Sequence, residues 1–343
     1  MSQRILVCNS QMPFLHGGAE ILADSLSDEL RVRGFEVDQV RLPFSMASRR
    51  ALLESALAWR LLDVTKVEGR PVDRVICTRF PSYLVRHPRK VVWLVHQLRQ
   101  VYDLRGTSYS DIDSDPRDPR LVEMVQTMDR RSLAEARRFT ISRNVAGRLE
   151  SFLGLSADCL YPPSKLAPEL AGGDHELGDY VLSAGRLVEP KRFDLLIRAL
   201  PQAPGVRAVI AGRGPERESL LALADRLGVA DRVELPGWVS DDDLVRLYRG
   251  AMAVFYAPYD EDYGYVTVEA FKAGKAMLTT PDAGGVLEFV VDGENGYVCA
   301  PEVLGARLRS LDQDRALARR LGANGRSTVA EIDWDHVIAR LTE

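Results

Sequence analysis

The chain has 343 residues, 46% hydrophobic and 27% charged, with 26 Gly and 18 Pro; this is ordinary globular composition, which excludes wholesale disorder, and the length favours two domains with a core in each. A net charge of −4 argues against a dedicated nucleic-acid binder. It hides an asymmetry, since residues 1–170 hold 25 Lys+Arg against 21 Asp+Glu and residues 171–343 hold 20 against 28; the basic first half is either ordinary solvated surface or a face turned to anionic lipid or a phosphate-bearing acceptor.

Short β-rich apolar runs alternate with longer segments of helical period, the pattern of parallel sheets covered by helices, and the series occurs twice. In the first half, strands are expected at 5–8, 35–40, 74–77, 91–95, 139–141 and 159–161. Ile21, Leu22, Ser25, Leu26 and Leu30 line one face of a first helix that Gly34 stops; Ser142 caps a later helix and Gly154 ends it. The basic amphipathic stretch from Arg49 to Leu62 either rests on a membrane or covers the sheet. Between about Gln97 and Pro119 runs a long acidic loop with Asp111, Asp113, Asp115 and Asp118, of a length more often functional than not. Turn composition through Pro162-Pro163, Pro168, Gly172-Gly173 and Gly178 marks a domain boundary. The expected division is 1–165, 178–325, and a C-terminal helix within 326–343 that returns to the first domain, with Trp334 as its anchor. Strands of the second half are expected at 180–183, 208–210, 233–235, 253–256, 276–279 and 297–298. The longest apolar runs fall far short of the ~20 residues of a membrane span. Four dispersed cysteines form no CxxC pair, so a reducing cytoplasm is the expected setting.

Ligands of open parallel sheets bind at the carboxyl ends of the strands, so the loops after the predicted strands carry the chemistry. After the first comes His16-Gly17-Gly18-Ala19-Glu20, a glycine pair opening a helix, where bare backbone and free amides favour an anion. His96 comes after the strand at 91–95 and stands beside a substrate or simply ends the strand. In the second half Gly185-Arg186 is succeeded by Lys191 and Arg192, cations suited to clamp a diphosphate. Gly212-Arg213-Gly214 lacks the third glycine of the dinucleotide fingerprint, which speaks against a nicotinamide cofactor. Gly237 offers bare backbone to a base. Glu261 and Glu269 flank one helix entrance, where ionised carboxylates accept hydrogen bonds from sugar hydroxyls. Gly284-Gly285 opens another expected helix, with Glu288 beyond it.

This ordered series resembles the retaining glycosyltransferases of family 4, which have the GT-B fold: two Rossmann-like domains facing a central cleft. The likeness is close over 179–300 and looser over 4–40 and 91–163. It implies a nucleotide-sugar donor held mainly by the second domain and an acceptor held mainly by the first. The family's E-x7-E motif falls on Glu261, at the donor sugar, and Glu269, at the ribose hydroxyls. Arg186 and Lys191 match its diphosphate pair, Gly17-Gly18 its glycine loop beneath the phosphates, and His96 its first-domain histidine beside the donor sugar. Gly212, Gly237, Gly284 and Gly285 complete the expected donor site. Two departures are Arg192, where many members have Gly, and Asp262-Tyr263-Gly264, where a small residue with Phe-Gly is usual; both bear on sugar preference. The pairs Asp260-x-Asp262 and Asp111-x-Asp113 look like metal-binding DxD motifs, but one lies inside the two-glutamate motif and the other in the acidic loop, and neither is read as a metal site.

The expected activity is metal-independent, cytoplasmic transfer of a hexose-type sugar from a UDP- or GDP-sugar to a hydroxyl acceptor. Peripheral contact with the inner membrane face is one setting for it. The acceptor is a glycan, a glycolipid of the cell envelope, or a small molecule, and no nucleic acid or cofactor is implied. A sugar-nucleotide epimerase or phosphorylase on the same fold, or a non-catalytic nucleotide-sugar-binding protein, is the alternative reading.

Overall fold

The computed structural model describes residues 2–15, 17–172 and 176–343; His16 and Gly173, singled out above, lie outside them. The chain divides into two compact units, Met1–Pro162 with Asp333–Glu343, and Pro163–Ile332. The break falls at the Pro162-Pro163 pair. The helical tail is shared out differently from expectation: residues 326–332 belong to the second unit and only the last eleven to the first.

In chain order the first unit contains β1 (Arg4–Gln11), α1 (Gly18–Val32), β2 (Glu36–Pro43), α2 (Arg49–Leu61), the hairpin β3 (Lys66–Val67) and β4 (Arg70–Pro71), β5 (Arg74–Cys77), β6 (Lys90–Leu94), α3 (Asp118–Ala134), β7 (Arg137–Thr140), α4 (Arg143–Leu153) and β8 (Asp158–Cys159). Its main sheet is parallel, in the order β2-β1-β5-β6-β7-β8. Strands β5 and β6 are buried throughout, as strands covered on both faces must be, which is why they read as apolar runs after their first residues, Arg74 and Lys90. The caps obey the sequence: the Val145 amide donates to Ser142 Oγ (3.0 Å), and Gly154 closes α4 in the left-handed region.

The second unit contains α5 (Ala167–Leu170), β9 (Tyr180–Ala184), α6 (Phe193–Ala199), β10 (Arg207–Ala211), α7 (Arg217–Arg226), β11 (Val233–Gly237), α8 (Asp241–Gly250), β12 (Ala253–Phe255), α9 (Tyr265–Lys272), β13 (Ala276–Thr279), β14 (Gly296–Val298), α10 (Pro301–Gln313) and α11 (Arg315–Thr328). Its sheet is again parallel, ordered β11-β10-β9-β12-β13-β14. A core of Val181, Leu196, Ile210, Phe255 and Leu308, among others, lies beneath the covering helices. Finally α12 (Trp334–Thr342) rejoins the first unit. Trp334 meets the edge of Trp93 at 6.1 Å, and Arg74 Nη1 donates to the Leu341 carbonyl (2.8 Å). Among the described residues no helix is long and apolar enough to cross a membrane.

The stretch 97–117 departs from the expected structureless loop. It holds a 3-10 turn, Arg99–Val101, and its carboxylates are spent on arginines. Arg49 reaches Asp111 (3.0 Å) and Asp118 (2.7 Å), Arg105 takes Asp113 (2.7 Å) and Arg117 takes Asp115 (2.7 Å). Asp118 itself is buried at the start of α3, and the Arg49 guanidinium pulls its carboxyl down to about 2.

Candidate active site

In the second unit the carboxyl ends of three neighbouring strands are joined through backbone alone. The Gly212 amide, after β10, donates to the Gly237 carbonyl at the end of β11 (2.8 Å), and the Gly185 amide, after β9, donates to Ala211 (2.9 Å). At Gly212 φ is +150°, and a Cβ there would run into the Gly185 carbonyl. Only glycine permits this approach. Gly185, Gly212 and Gly237 thus form a ledge of bare backbone. Arg186 stands at its edge, exposed and without an ion-pair partner among the described residues.

Lys191 ends a 3-10 turn, Glu189–Lys191, and is half-buried, not the solvated cation its sequence context implied. Its Nζ donates to Tyr256 Oη (2.7 Å) and pairs with Glu261 Oε2, to which Tyr256 Oη also donates (3.1 Å). Burial alone would lower the Lys191 ammonium, but Glu261 and Tyr256 hold it above the ordinary lysine range. The three side chains form a closed polar triangle between the loops after β9 and β12. Sequence reasoning missed Tyr256, which ends a predicted strand and carries no motif.

Arg192 is a lock between loops, its guanidinium spent on protein partners where the sequence suggested a cation for a diphosphate. Its guanidinium forks onto both Asp282 carboxylate oxygens (2.7 Å each) while also reaching Thr280 Oγ1 (2.7 Å) and the carbonyls of Ala257 (2.7 Å) and Pro258 (3.1 Å). That geometry ties the loops after β9, β12 and β13 together. Arg192 occupies the left-handed region (φ +51°).

The glycine pair 284–285 also serves the fold in a way that differs from expectation. The Gly285 amide is consumed by the Glu261 carbonyl (2.8 Å), and a Cβ on Gly284 would lie 2.6 Å from the Glu261 backbone. The segment opened by the pair is a single 3-10 turn, Gly285–Glu288, in place of the expected helix. The pair holds Glu261 in position; the Gly285 amide is not open to an anion. Glu269, on α9, is 9% exposed. Ser164 Oγ donates to its Oε1 (2.8 Å) and Tyr248 Oη to its Oε2 (2.7 Å). Burial raises this carboxyl above the usual range, and the two hydroxyls oppose that rise. Each oxygen retains a lone pair for a further donor. Ser164 falls in the stretch read as linker, and Tyr248 in a helix with no motif.

In the first unit Gly17 precedes α1, and its amide donates to Glu20 Oε2 (2.9 Å), the one half of a capping box that a glycine N-cap permits. That amide is already matched to a carboxylate, and Gly18 is the first helical residue. Glu20 is in turn paired with Arg79, whose guanidinium also donates to the Ser10 carbonyl. His96 Nδ1 lies 2.6 Å from the Gln97 carbonyl; a carbonyl only accepts, so Nδ1 donates. The DxD pair Asp111–Asp113 is committed to Arg49 and Arg105. Among the described residues no group of three His, Cys, Asp or Glu side chains is placed to hold a metal ion.

The geometry coincides with a family likeness. Residues 174–328, nearly the whole second unit, match the model of the glycosyl transferases group 1. The D-inositol 3-phosphate glycosyltransferase of Mycolicibacterium smegmatis is 32% identical over 198 residues, 55% of this chain and 44% of its own length. The lipopolysaccharide core biosynthesis glycosyltransferase LpsE of Rhizobium meliloti is 35% identical over 153 residues, 43% of this chain and 44% of LpsE. The chain therefore spans less than half the length of these curated relatives. Among solved structures, WaaG, a glycosyltransferase involved in lipopolysaccharide biosynthesis, superposes with a TM-score of 0.72 at 18% identity over 96% of both chains. The sucrose-phosphate synthase of Thermosynechococcus elongatus does so with 0.75 at 18% over 99% of this chain and 98% of that one. Two parallel Rossmann-like units and these superpositions give the chain the GT-B fold, and the likeness to the glycosyl transferases group 1 lies in its second unit.

Proposed function

We propose that this chain is a retaining, metal-independent transferase of the family 4 type, moving a hexosyl group from a UDP- or GDP-sugar to a hydroxyl of a glycan, glycolipid or small-molecule acceptor in cell-envelope synthesis on the cytoplasmic side. The observation that carries the reading is the Lys191–Tyr256–Glu261 triangle beside the unpaired Arg186 at the carboxyl ends of β9 and β12. Chemistry at an anomeric carbon needs leaving-group stabilisation more than a strong base. As the glycosidic bond breaks, negative charge grows on the diphosphate, and Arg186 and Lys191 supply fixed positive charge for it. An arriving diphosphate draws the Lys191 ammonium away from Glu261, which frees that carboxylate to accept from hydroxyls of the donor sugar. Glu269, already fixed by two hydroxyls, takes the ribose on its remaining lone pairs. His96 positions the sugar, and no protein nucleophile is assigned, in keeping with front-face attack and retention. The structural neighbour HepE of Anabaena, solved with UDP and glucose, has the same fold at 17% identity and a TM-score of 0.69 over 98% of both chains, which is consistent with a nucleotide-sugar donor.

The test is thermal unfolding with UDP, GDP and their sugars in the presence of a chelator. A ligand bound only by the folded state raises the Tm, by about 2.7 kcal/mol of stability at a hundredfold excess over Kd. No shift with any nucleoside diphosphate refutes the donor, and a shift that requires Mg2+ or Mn2+ refutes the metal-free mechanism.

A further inference from the structure

The first unit carries a groove that the donor chemistry does not use. It lies between α2 and α3, measures about 800 Å³, within the range of sites that hold small ligands, and both helices pack on the turn Ser82–Leu84. Its walls are apolar: Leu53 and Leu57 from α2, and Leu121 and Met124 from α3. Leu57 is 54% exposed and Met124 49%, and Leu61, one turn beyond Leu57, is more exposed still. Leu53, Leu57 and Leu61 recur every four residues, so the apolar stripe runs along the helix axis. The two carboxylates of the lining, Glu54 and Asp115, are paired with arginines of the same groove, and no aromatic platform of the kind a bare glycan stacks on is among the lining residues.

The other end of the groove is cationic. Arg50, Arg117 and Arg120 lie at the first turns of α2 and α3, where the helix dipoles add positive potential. Arg120 has no partner among the described residues. Arg50 pairs with Glu54 and Arg117 with Asp115, but these guanidiniums are 87% and 83% exposed. Pairs so exposed contribute little and exchange readily for a phosphate, which a guanidinium fork fits bidentately. Both helices come after strands of the parallel sheet, β2 and β6, so their amino ends face the side of the sheet where ligands bind. Polarity therefore runs in one direction, from a cationic end on the ligand side to a leucine and methionine trough leading away from it.

We infer that this groove seats an amphiphile, the anionic phosphate headgroup of a lipid on Arg50, Arg117 and Arg120 and its hydrocarbon chain along Leu57, Leu61 and Met124. As an acceptor seat it rests on the transferase reading above; as a lipid seat it stands without it.

Flotation of the full chain with phosphatidylcholine vesicles, with and without phosphatidylglycerol, tests the inference. Binding is expected only to the anionic vesicles and weakens with added salt. Arg120→Glu and Arg50→Glu each lower the partition coefficient about fivefold or more, at roughly one arginine contact apiece. Leu57→Gln and Met124→Gln lower it severalfold with the charge unchanged. All four positions are exposed, so the Tm stays put, and Leu221→Gln on the second unit is the silent control. Failure to bind anionic vesicles overturns the inference, as does equal binding by all the groove variants. Self-association abolished by Leu57→Gln without vesicle binding overturns it in favour of a second copy of the chain. The nucleoside-diphosphate shift is read separately: its loss with vesicle binding intact refutes the transferase reading alone, and the converse refutes the lipid seat alone.

Discussion

The two units share one architecture yet hold their ligand-side loops by different means. In the second, the loops after β9, β10, β12 and β13 are joined backbone to backbone, with Gly212 against Gly185 and Gly284 against Glu261, and Arg192 locks them from the side. In the first, the corresponding loops are held by side chains: Arg49 on Asp111 and Asp118, Arg105 on Asp113, and Glu20 on Arg79. Backbone junctions depend on glycine at fixed positions and leave a recognisable sequence. Ion pairs can be exchanged for others, so a unit built on them keeps its fold while its loops change. The family match is confined to residues 174–328, on the side of the backbone junctions.

Substitutions can break this contrast. The largest effect is expected from Gly212→Ala, which combines a positive φ with a Cβ against a carbonyl and destabilises the protein by roughly 3 kcal/mol or more, read as a fall in Tm. Next, Lys191→Ala lowers kcat/KM about tenfold to a hundredfold, the worth of roughly 1.5–3 kcal/mol for a charge-assisted contact, and lowers the Tm as well, because Glu261 loses the cation of a largely buried pair. Arg192→Ala lowers the Tm further, because Arg192 holds three loops; equal Tm for the two variants would contradict that lock.

Smaller per pH unit is a pH effect in the first unit. Burial raises the Asp129 carboxyl to about 7, against the opposing hydrogen bond from Tyr102 (2.8 Å). The folded state therefore keeps a proton that the unfolded state has lost. Stability from this group is fully present below the ordinary carboxyl range, falls by about 1.4 kcal/mol per pH unit as pH rises towards about 7, and is flat above. Denaturant titrations across that window should show the slope in the wild type and lose it in Asp129→Asn. Least of all, Gly17→Ala should cost below about 0.5 kcal/mol, since Gly17 has an extended backbone and a Cβ there meets only Glu20 Oε2 at 3.6 Å. A large loss at Gly17 would erase the contrast between the units.

Much of this was legible in the sequence because it rested on local rules. Strands 74–77 and 276–279 appear where their apolar runs lie, and Ser142, Gly154 and Gly34 end helices as capping chemistry requires. Lys191, Glu261 and Glu269 come to the ligand side of one sheet. The features that escaped were partners supplied from far along the chain: Tyr256 to Lys191, Ser164 and Tyr248 to Glu269, and the carbonyls that Arg192 binds. A side chain that serves by donating one hydrogen bond has no period and no motif. The acidic loop escaped for the same reason: its length suggested function, and the arginines that meet its aspartates, Arg49 among them, could not be paired with them from sequence.

The return of α12 has a consequence for the order in which the protein matures. The second unit is one unbroken segment, Pro163–Ile332, set within the first, whose last eleven residues come at the far end of the chain. During synthesis, which proceeds vectorially and lets domains fold as they emerge, the second unit has all its residues before the first does. The first must wait with the edge of Trp93 uncovered and Arg74 short of its carbonyl until Trp334 and Leu341 leave the ribosome. In this protein the unit begun first is finished last, and the nascent chain carries its unfinished part through the whole translation of the other.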